Sequence, residues 1–379
     1  MQTIEADWLT DTATQSIFKL LAATPTFVVG GCVRNALLNV PVKDVDFATA
    51  AHPETVSKLA EKAGMRVIPT GLSHGTVTVI AQDQPFEVTT FRRDVATDGR
   101  RATVAYAESL EEDALRRDFT VNAIYADAKG ALYDPTGGLA DITARRIRFI
   151  EDAERRIQED YLRSLRFFRF CAWYADPAEG MDPEALNAIA RNLSGLETLS
   201  RERVGLELLR LLGAPDPAPA VSSMRQTGVL ASVLPGADDT ALGPLIALEQ
   251  DMGVQPNAIR RLAALGGEVQ SLRLSKADSA RVSALRAGGE MSPGALGYAY
   301  GFDVGRDALL VFAASIGQHP QEEAIKALKT GASAKFPVRS SDLMDQLEGK
   351  ALGDALRRLE QEWIDSGFTL SRKELLSKG

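Results

Sequence analysis

The stretch "TFVVGGCVRNALLNVPVKDVDFAT", residues 26–49, constrains this chain most tightly. Its apolar run halts at Gly30 and Gly31 and reads as a buried strand, "VRNALL" opens a helix, and "KDVDFAT" reads as a second strand. "HPETVSKLAEKAG" has helical spacing, with a proline near its start and Gly64 at its end. "RVIPTG", "GTVTVIAQ" and "FEVTTF" supply further strands, broken by glycine or by the polar "DQP". Residues 94–108 are polar and mixed and predict a loop. "SLEEDALRRDFTVNAIYAD" predicts a helix that Ser109 and Glu112 start as a capping box. "YDPTGGLADI" is turn-rich, and "RRIRFI" predicts one more short strand.

From Ala153 the character changes. "AERRIQEDYLRSLRFFRFCAWYA", "DPEALNAIARNL" and "SRERVGLELLRLLG" are helical patterns, and more follow the proline-rich hinge "APDPAPA" at 214–220. The fold class is therefore α+β: a head with a small mixed sheet over 1–150, then an all-helical remainder made of a neck over 151–214 and a body and tail over 215–379. A length of 379 residues suits two or three domains, and 45 % hydrophobic residues suffice for their cores. The formal charge of -8 excludes a generic polyanion binder, so any nucleic-acid contact has to come from a local basic surface. Two cysteines exclude a disulfide framework or a cysteine-rich zinc site and fit a reducing cytoplasm. The N-terminal segment does not read as a signal peptide, and no stretch approaches the ~18 consecutive apolar residues of a membrane span.

Asp44 and Asp46 stand two apart, so in a strand both carboxylates project from one face. Like charges so close are costly unless a cation neutralises them, and a hard divalent ion, Mg²⁺, suits oxygen ligands. Glu87 in "FEVTT" could complete the set. The alternative is a solvated strand end. Gly30 and Gly31 let backbone approach an anion at a strand-to-helix turn, and Arg34 can fork onto a phosphate. The alternative there is a packing turn with a surface arginine. The pattern is neither the dinucleotide fingerprint nor a P-loop, which needs Gly-Lys-Ser/Thr. Taken together, a glycine turn, an arginine and paired aspartates supply what nucleotidyl transfer requires.

With "RRDFTVNA" at 116–123, "ERRIQEDYLRSLRFFRF" at 154–170 and "SRERVGLELLRLL" at 200–212, the chain resembles the class II tRNA nucleotidyltransferases and bacterial poly(A) polymerases. The resemblance spans roughly residues 27–212 and implies a polymerase-β-like head. It implies that Asp44 and Asp46 are catalytic and hold the metals. It further implies that Gly30, Gly31 and Arg34 contact the nucleotide's phosphates and sugar. Arg117 and Asp118, with Asn122 on the same surface, would hold the nucleotide and favour a ribose. Asp160 and Arg163, helped by Arg166 and Arg169, would read the base. The substrates implied are CTP, ATP and the 3′ end of tRNA; no membrane and no obligatory protein partner is implied.

The residues themselves give the base-reading helix some support. Asp160, Arg163, Arg166 and Arg169 recur every three residues, a drifting stripe on one helix. An aspartate accepts from an exocyclic amine and an arginine donates to ring acceptors, which suits C and A but not G and U. The alternative is an intrahelical ion-pair ladder. Asn35 and Asn39 depart from the family pattern, as does Arg101, without removing a metal ligand. "GLSHGTVTVI" at 71–80 resembles the CCA-adding type, and the 94–108 loop resembles the element that full CCA-adding enzymes use to switch from C to A. His74 in that turn reads as structural. A poly(A) polymerase and a catalytically silent tRNA-binding protein stay open as other readings.

Overall fold

Strands β1 (Thr26–Val29), β2 (Asp46–Thr49), β3 (Arg66–Ile68), β4 (Thr76–Ala81), β5 (Gln84–Thr90), β6 (Arg92–Thr97), β7 (Ala102–Tyr106), β8 (Tyr125–Ala126) and β9 (Leu132–Tyr133) all lie in the front of the chain. They come from a computed structural model that describes residues 2–69, 71–72, 75–97 and 102–377. Seven of them form one sheet in the order β3-β4-β5-β2-β1-β8-β9. The β2–β5 pair is parallel and the β1–β2 pair antiparallel, so the sheet is mixed, as the sequence predicts.

The strand period decides what each face carries. Phe47 turns to one face, where Phe18 and Phe86 pack on it at ring separations of 4.9 and 5.8 Å. Its neighbour Ala48 turns to the other and joins Val29, Phe91, Ala114 and Tyr125 in a buried cluster. Asp46, two residues before Ala48, belongs to this second face. Because β1 and β2 run antiparallel with Val28 opposite Phe47, the glycine turn that ends β1 lies beside the start of β2. Gly30 has φ +78°, a left-handed conformation open to glycine, and caps the Gly31–Leu37 helix. The Pro53–Lys62 helix starts with its proline in the first turn and ends before Gly64 at φ +76°, as its sequence requires.

Four expectations need correction. Within the predicted loop over 94–108, β6 and β7 pair as antiparallel strands, their cross-strand register prevailing over the polar composition; Arg101 lies outside the described residues, as does His74. The helix predicted from Ser109 runs only over Leu110–Leu115. Ser109 does accept from the Glu112 amide at 3.3 Å, but the helix ends with Arg116 as its C-cap, Phe119 turns into the core, and the chain continues through a 3-10 turn into β8. "RRIRFI" contributes one isolated bridge, Phe149 to Phe119, and no strand. Finally, the long helix expected from Ala153 is two, Ala153–Glu159 and Leu162–Tyr174. The break falls at Asp160, whose backbone is extended (φ −153°, ψ 105°) and whose carboxylate accepts from the Leu162 amide at 3.1 Å.

The chain divides into two units, Met1–Arg203 with Gln226–Ser232, and Val204–Arg225 with Val233–Gly379. In the second unit the described elements are helices, among them Leu242–Asp251, Ala258–Leu265, Lys276–Arg286 and the long Pro293–Ser315 helix, which bends at Gly301. No helix among the described residues is long and apolar enough to cross a membrane.

Candidate active site

Asp46 opens β2 and stands in parallel register with Glu87 on β5, so their side chains leave the sheet on one face. Asp44 lies two residues ahead of the strand and is exposed. Burial, then the charge of Glu87, push the Asp46 carboxyl up to about 6; the nearby Arg117 guanidinium opposes this, and Asp44 adds to it. The donor set is thus crowded with negative charge and short of cations, which is what a divalent ion would correct. Among the described residues no three carboxylate, imidazole or thiol groups converge to enclose an ion unaided. Mg²⁺ is ordinarily held by one or two carboxylates, with waters and substrate phosphates completing its shell, so the arrangement fits it.

The glycine turn faces an arginine. A Cβ on Gly30 would lie 3.6 Å from Arg117 Nη1, and one on Gly31 would lie 3.8 Å from Arg34 Nη2. Arg117 donates from Nε and Nη2 to Asp113 at 3.2 and 3.0 Å and from Nε to the Tyr125 hydroxyl at 3.0 Å. Arg34 is only 7 % exposed, so it is not a free surface arginine. It donates to Asn35 Oδ1 and to the Tyr174 hydroxyl at 2.9 and 3.0 Å, lies 4.2 Å from the centre of the Tyr174 ring, and also donates to Asn122 Oδ1.

Asn122 turns its amide nitrogen to Asp118 Oδ1 at 2.9 Å, and Arg166 donates to Asp118 Oδ2 from Nε at 2.8 Å. Four of the predicted nucleotide contacts, Arg34, Asn122, Asp118 and Arg166, therefore form one continuous hydrogen-bonded chain. Burial works against the Asp118 anion, but the Arg166 charge and the Asn122 bond outweigh it and hold the carboxyl far below its ordinary range.

Arg163, Arg166 and Arg169 share the Leu162–Tyr174 helix as expected, but Asp160 stands just ahead of it, and the Asp160 and Arg163 side chains have other partners. Asp160 pairs with Arg203 at 2.9 Å, while Arg163 pairs with Glu159 at 2.6 Å and donates to the Arg116 carbonyl at 3.3 Å. Arg169 packs its guanidinium 4.7 Å from the Phe170 ring centre. Sequence reasoning missed Asp113, Tyr125, Tyr174, Glu159 and Arg203. For Asp113 the signal was present, since it precedes Arg116 and Arg117 by three and four residues.

Comparison with known proteins bears on this constellation. Residues 26–148 match a family model described as "Poly A polymerase head domain", and residues 180–240 match one described as "Probable RNA and SrmB- binding site of polymerase A". The mitochondrial CCA tRNA nucleotidyltransferase 1 of Mus musculus is 32% identical over 371 residues, covering 92% of this chain and 85% of that protein. The CCA-adding enzyme of Enterococcus faecalis is 30% identical over 380 residues, covering 93% and 90%. The chain belongs to the CCA-adding tRNA nucleotidyltransferase family. A crystal structure of the Bacillus stearothermophilus CCA-adding enzyme with CTP superposes with a TM-score of 0.73 at 28% identity, covering 93% of this chain and 92% of that one. A Thermotoga maritima CCA-adding enzyme complexed with tRNA shares the fold, with a TM-score of 0.70 at 19% identity and coverage of 100% and 98%. CCA-adding enzymes are metal-dependent nucleotidyltransferases, in keeping with the carboxylates at β2 and β5.

Proposed function

We propose that this chain adds C, C and A from CTP and ATP to the 3′ end of tRNA with no nucleic-acid template. The observation that carries the reading is the juxtaposition of the Asp46–Glu87 carboxylate pair with a left-handed glycine turn and the Nη1 end of Arg117. Asp44 and Asp46, with Glu87 beside them, would hold Mg²⁺, which when bound activates the attacking hydroxyl and offsets charge on the departing pyrophosphate. The Gly30–Gly31 turn gives the polyphosphate room, with no Cβ in its way, and Arg117 supplies a donor edge there. Asp118 is held anionic and oriented by Arg166 and Asn122, so a ribose 2′-hydroxyl would be read by taking one of the positions that Arg166 now fills. Reading a base edge with Asp160 and Arg163 requires both to exchange their present partners, Arg203 and Glu159, for the base.

The division of labour that goes with this reading is transfer in 1–150, base recognition in 151–214 and RNA binding in 215–379. Cys32 and Cys171 are buried free thiols, which supports the reducing cytoplasm as its compartment. The test is incubation of the full chain with labelled CTP and ATP on tRNA lacking its 3′ end and on generic RNA. Addition of C, C and A followed by a stop, on tRNA alone, is the expected result. Open-ended A tails on generic RNA would make it a poly(A) polymerase, and no incorporation would leave a tRNA-binding protein.

A further inference from the structure

Asp113 accepts from four residues around this site, Arg92, Arg116, Arg117 and Tyr125. It lies in the Leu110–Leu115 helix and is 1 % exposed. Its Oδ2 accepts from Arg117 Nε and Nη2 at 3.2 and 3.0 Å and from the Tyr125 hydroxyl at 2.8 Å. Its Oδ1 accepts from Arg116 Nε at 3.0 Å and from the backbone amide of Arg92, the first residue of the β6–β7 hairpin, at 3.3 Å. The carboxylate thus grips the Nε–Nη2 edge of the Arg117 guanidinium. A guanidinium is planar, so gripping one edge fixes where the other points. The remaining nitrogen, Nη1, is the atom 3.6 Å from a Cβ built on Gly30.

We propose that Asp113 is a positioning residue for nucleotide binding: it aims Arg117 at the glycine turn and, through its other oxygen, fastens the root of the β6–β7 hairpin to the same point. The Tyr125 hydroxyl closes the clamp by accepting from Arg117 while donating to Asp113. The backbone that carries Arg117 is held from behind as well, since Arg163 donates to the Arg116 carbonyl and Arg156 to that of Leu115. With its backbone fixed, the guanidinium's aim depends on the side-chain clamp alone. An asparagine at 113 presents either an oxygen or an N–H to Arg117 but cannot serve both edges and the Arg92 amide together, and it carries no charge.

This inference rests on the nucleotide-transfer reading above. The test measures kcat and KM for CTP and ATP on tRNA lacking its 3′ end for the wild type, Asp113→Asn, Asp113→Glu and Tyr125→Phe, with circular-dichroism melts of each. Asp113→Asn should raise KM for both nucleotides by about tenfold or more and lower kcat by less, because the lost interaction orients a binding group. Asp113→Glu keeps the charge and should recover part of the KM loss; a purely structural role would instead show in the melts with KM unchanged. Tyr125→Phe should raise both KM values by roughly threefold. A folded Asp113→Asn variant with wild-type KM would overturn the proposal. Should that variant fail to fold, Tyr125→Phe decides: raised KM supports the clamp and unchanged KM overturns it. A wild type that incorporates neither nucleotide would instead remove the transfer reading, and the positioning role with it.

Discussion

Two arginine–carboxylate assemblies, one in each unit, use the same chemistry to opposite ends. In the second unit Arg260 and Arg261 are 1 % exposed and meet Glu249 and Asp307, each 2 % exposed. Arg261 spends its donors on Glu249 at 2.7 and 3.0 Å and on the carbonyls of Leu212, Ala214 and Pro215. Arg260 spends its own on Glu249, on Asp307 and on the Gln255 carbonyl. Each guanidinium there closes onto protein groups and ties helix ends together. In the first unit the pairing of Arg117 is one-sided. Asp113 takes one edge and the other faces a glycine turn, while Asp46 and Glu87 stand together with too little positive charge around them. A network that saturates its donors stabilises a fold, whereas one that leaves charge and donors aimed at open backbone is equipped to bind a polyanion and its metal.

The sealed network should be the more costly to break. Glu249→Ala leaves two buried guanidinium groups without their shared partner and should destabilise the second unit by about 3–5 kcal/mol. Urea unfolding would show it, while CTP incorporation per folded molecule should stay at the wild-type level. If instead incorporation fell and stability held, the roles of the two assemblies would be reversed. Next in size is acid sensitivity. Burial would raise the Asp113 pKa, but Arg117, Arg116 and the Tyr125 bond bring it down to about 2. A depressed carboxyl gives stability that is complete above its unfolded pKa and is lost as pH falls through the folded one. The clamp should therefore contribute about 2 kcal/mol at neutral pH, disappearing between roughly pH 4 and 2. Denaturation midpoints of wild type and Asp113→Asn should converge across that window; a constant gap would show that the charge is not what the clamp uses.

The sugar contact should be smaller. The wild type should prefer CTP over dCTP by more than about tenfold in kcat/KM, roughly 1.4 kcal/mol, and Asp118→Asn should remove most of that preference. Equal use of the two nucleotides by the wild type would mean that Asp118 does not read the ribose. The least effect on stability belongs to the half-buried pair of Asp160 and Arg203, at 29 and 37 % side-chain exposure. Arg203→Ala should change stability by under about 1 kcal/mol. A larger loss would class this pair with the sealed network and count against Asp160 being available to a base.

The contrast also explains what was legible in the sequence. Strand–turn–helix boundaries at Gly30 and the mixed sheet followed from local rules of periodicity and backbone freedom, and of the motif residues Arg117 lies near Asp46 while Asp118 is bound to Arg166 and Asn122. The chain break at Asp160 was not legible, because "QEDYLRSL" keeps helical spacing straight through it; Asp160 is extended there, with its carboxylate on the Leu162 amide and on Arg203, a partner 43 residues away. The hairpin at 92–106 was hidden by its polar composition. The inward turn of Arg34 was hidden because its partners, Asn122 and Tyr174, are 88 and 140 residues away. Spacing reports neighbours on one element, and it is silent about partners that only the assembled unit brings together.

The central claim is that the open, carboxylate-rich face beside the glycine turn is where nucleotide is transferred. The most direct test is single-turnover addition of the first C to tRNA lacking its 3′ end by Asp46→Ala, with its thermal melt recorded beside that of the wild type. Removing Asp46 relieves like-charge crowding with Glu87, so the variant should melt no lower than the wild type while its addition rate falls by about three orders of magnitude or more. A variant that adds C at the wild-type rate would contradict the assignment.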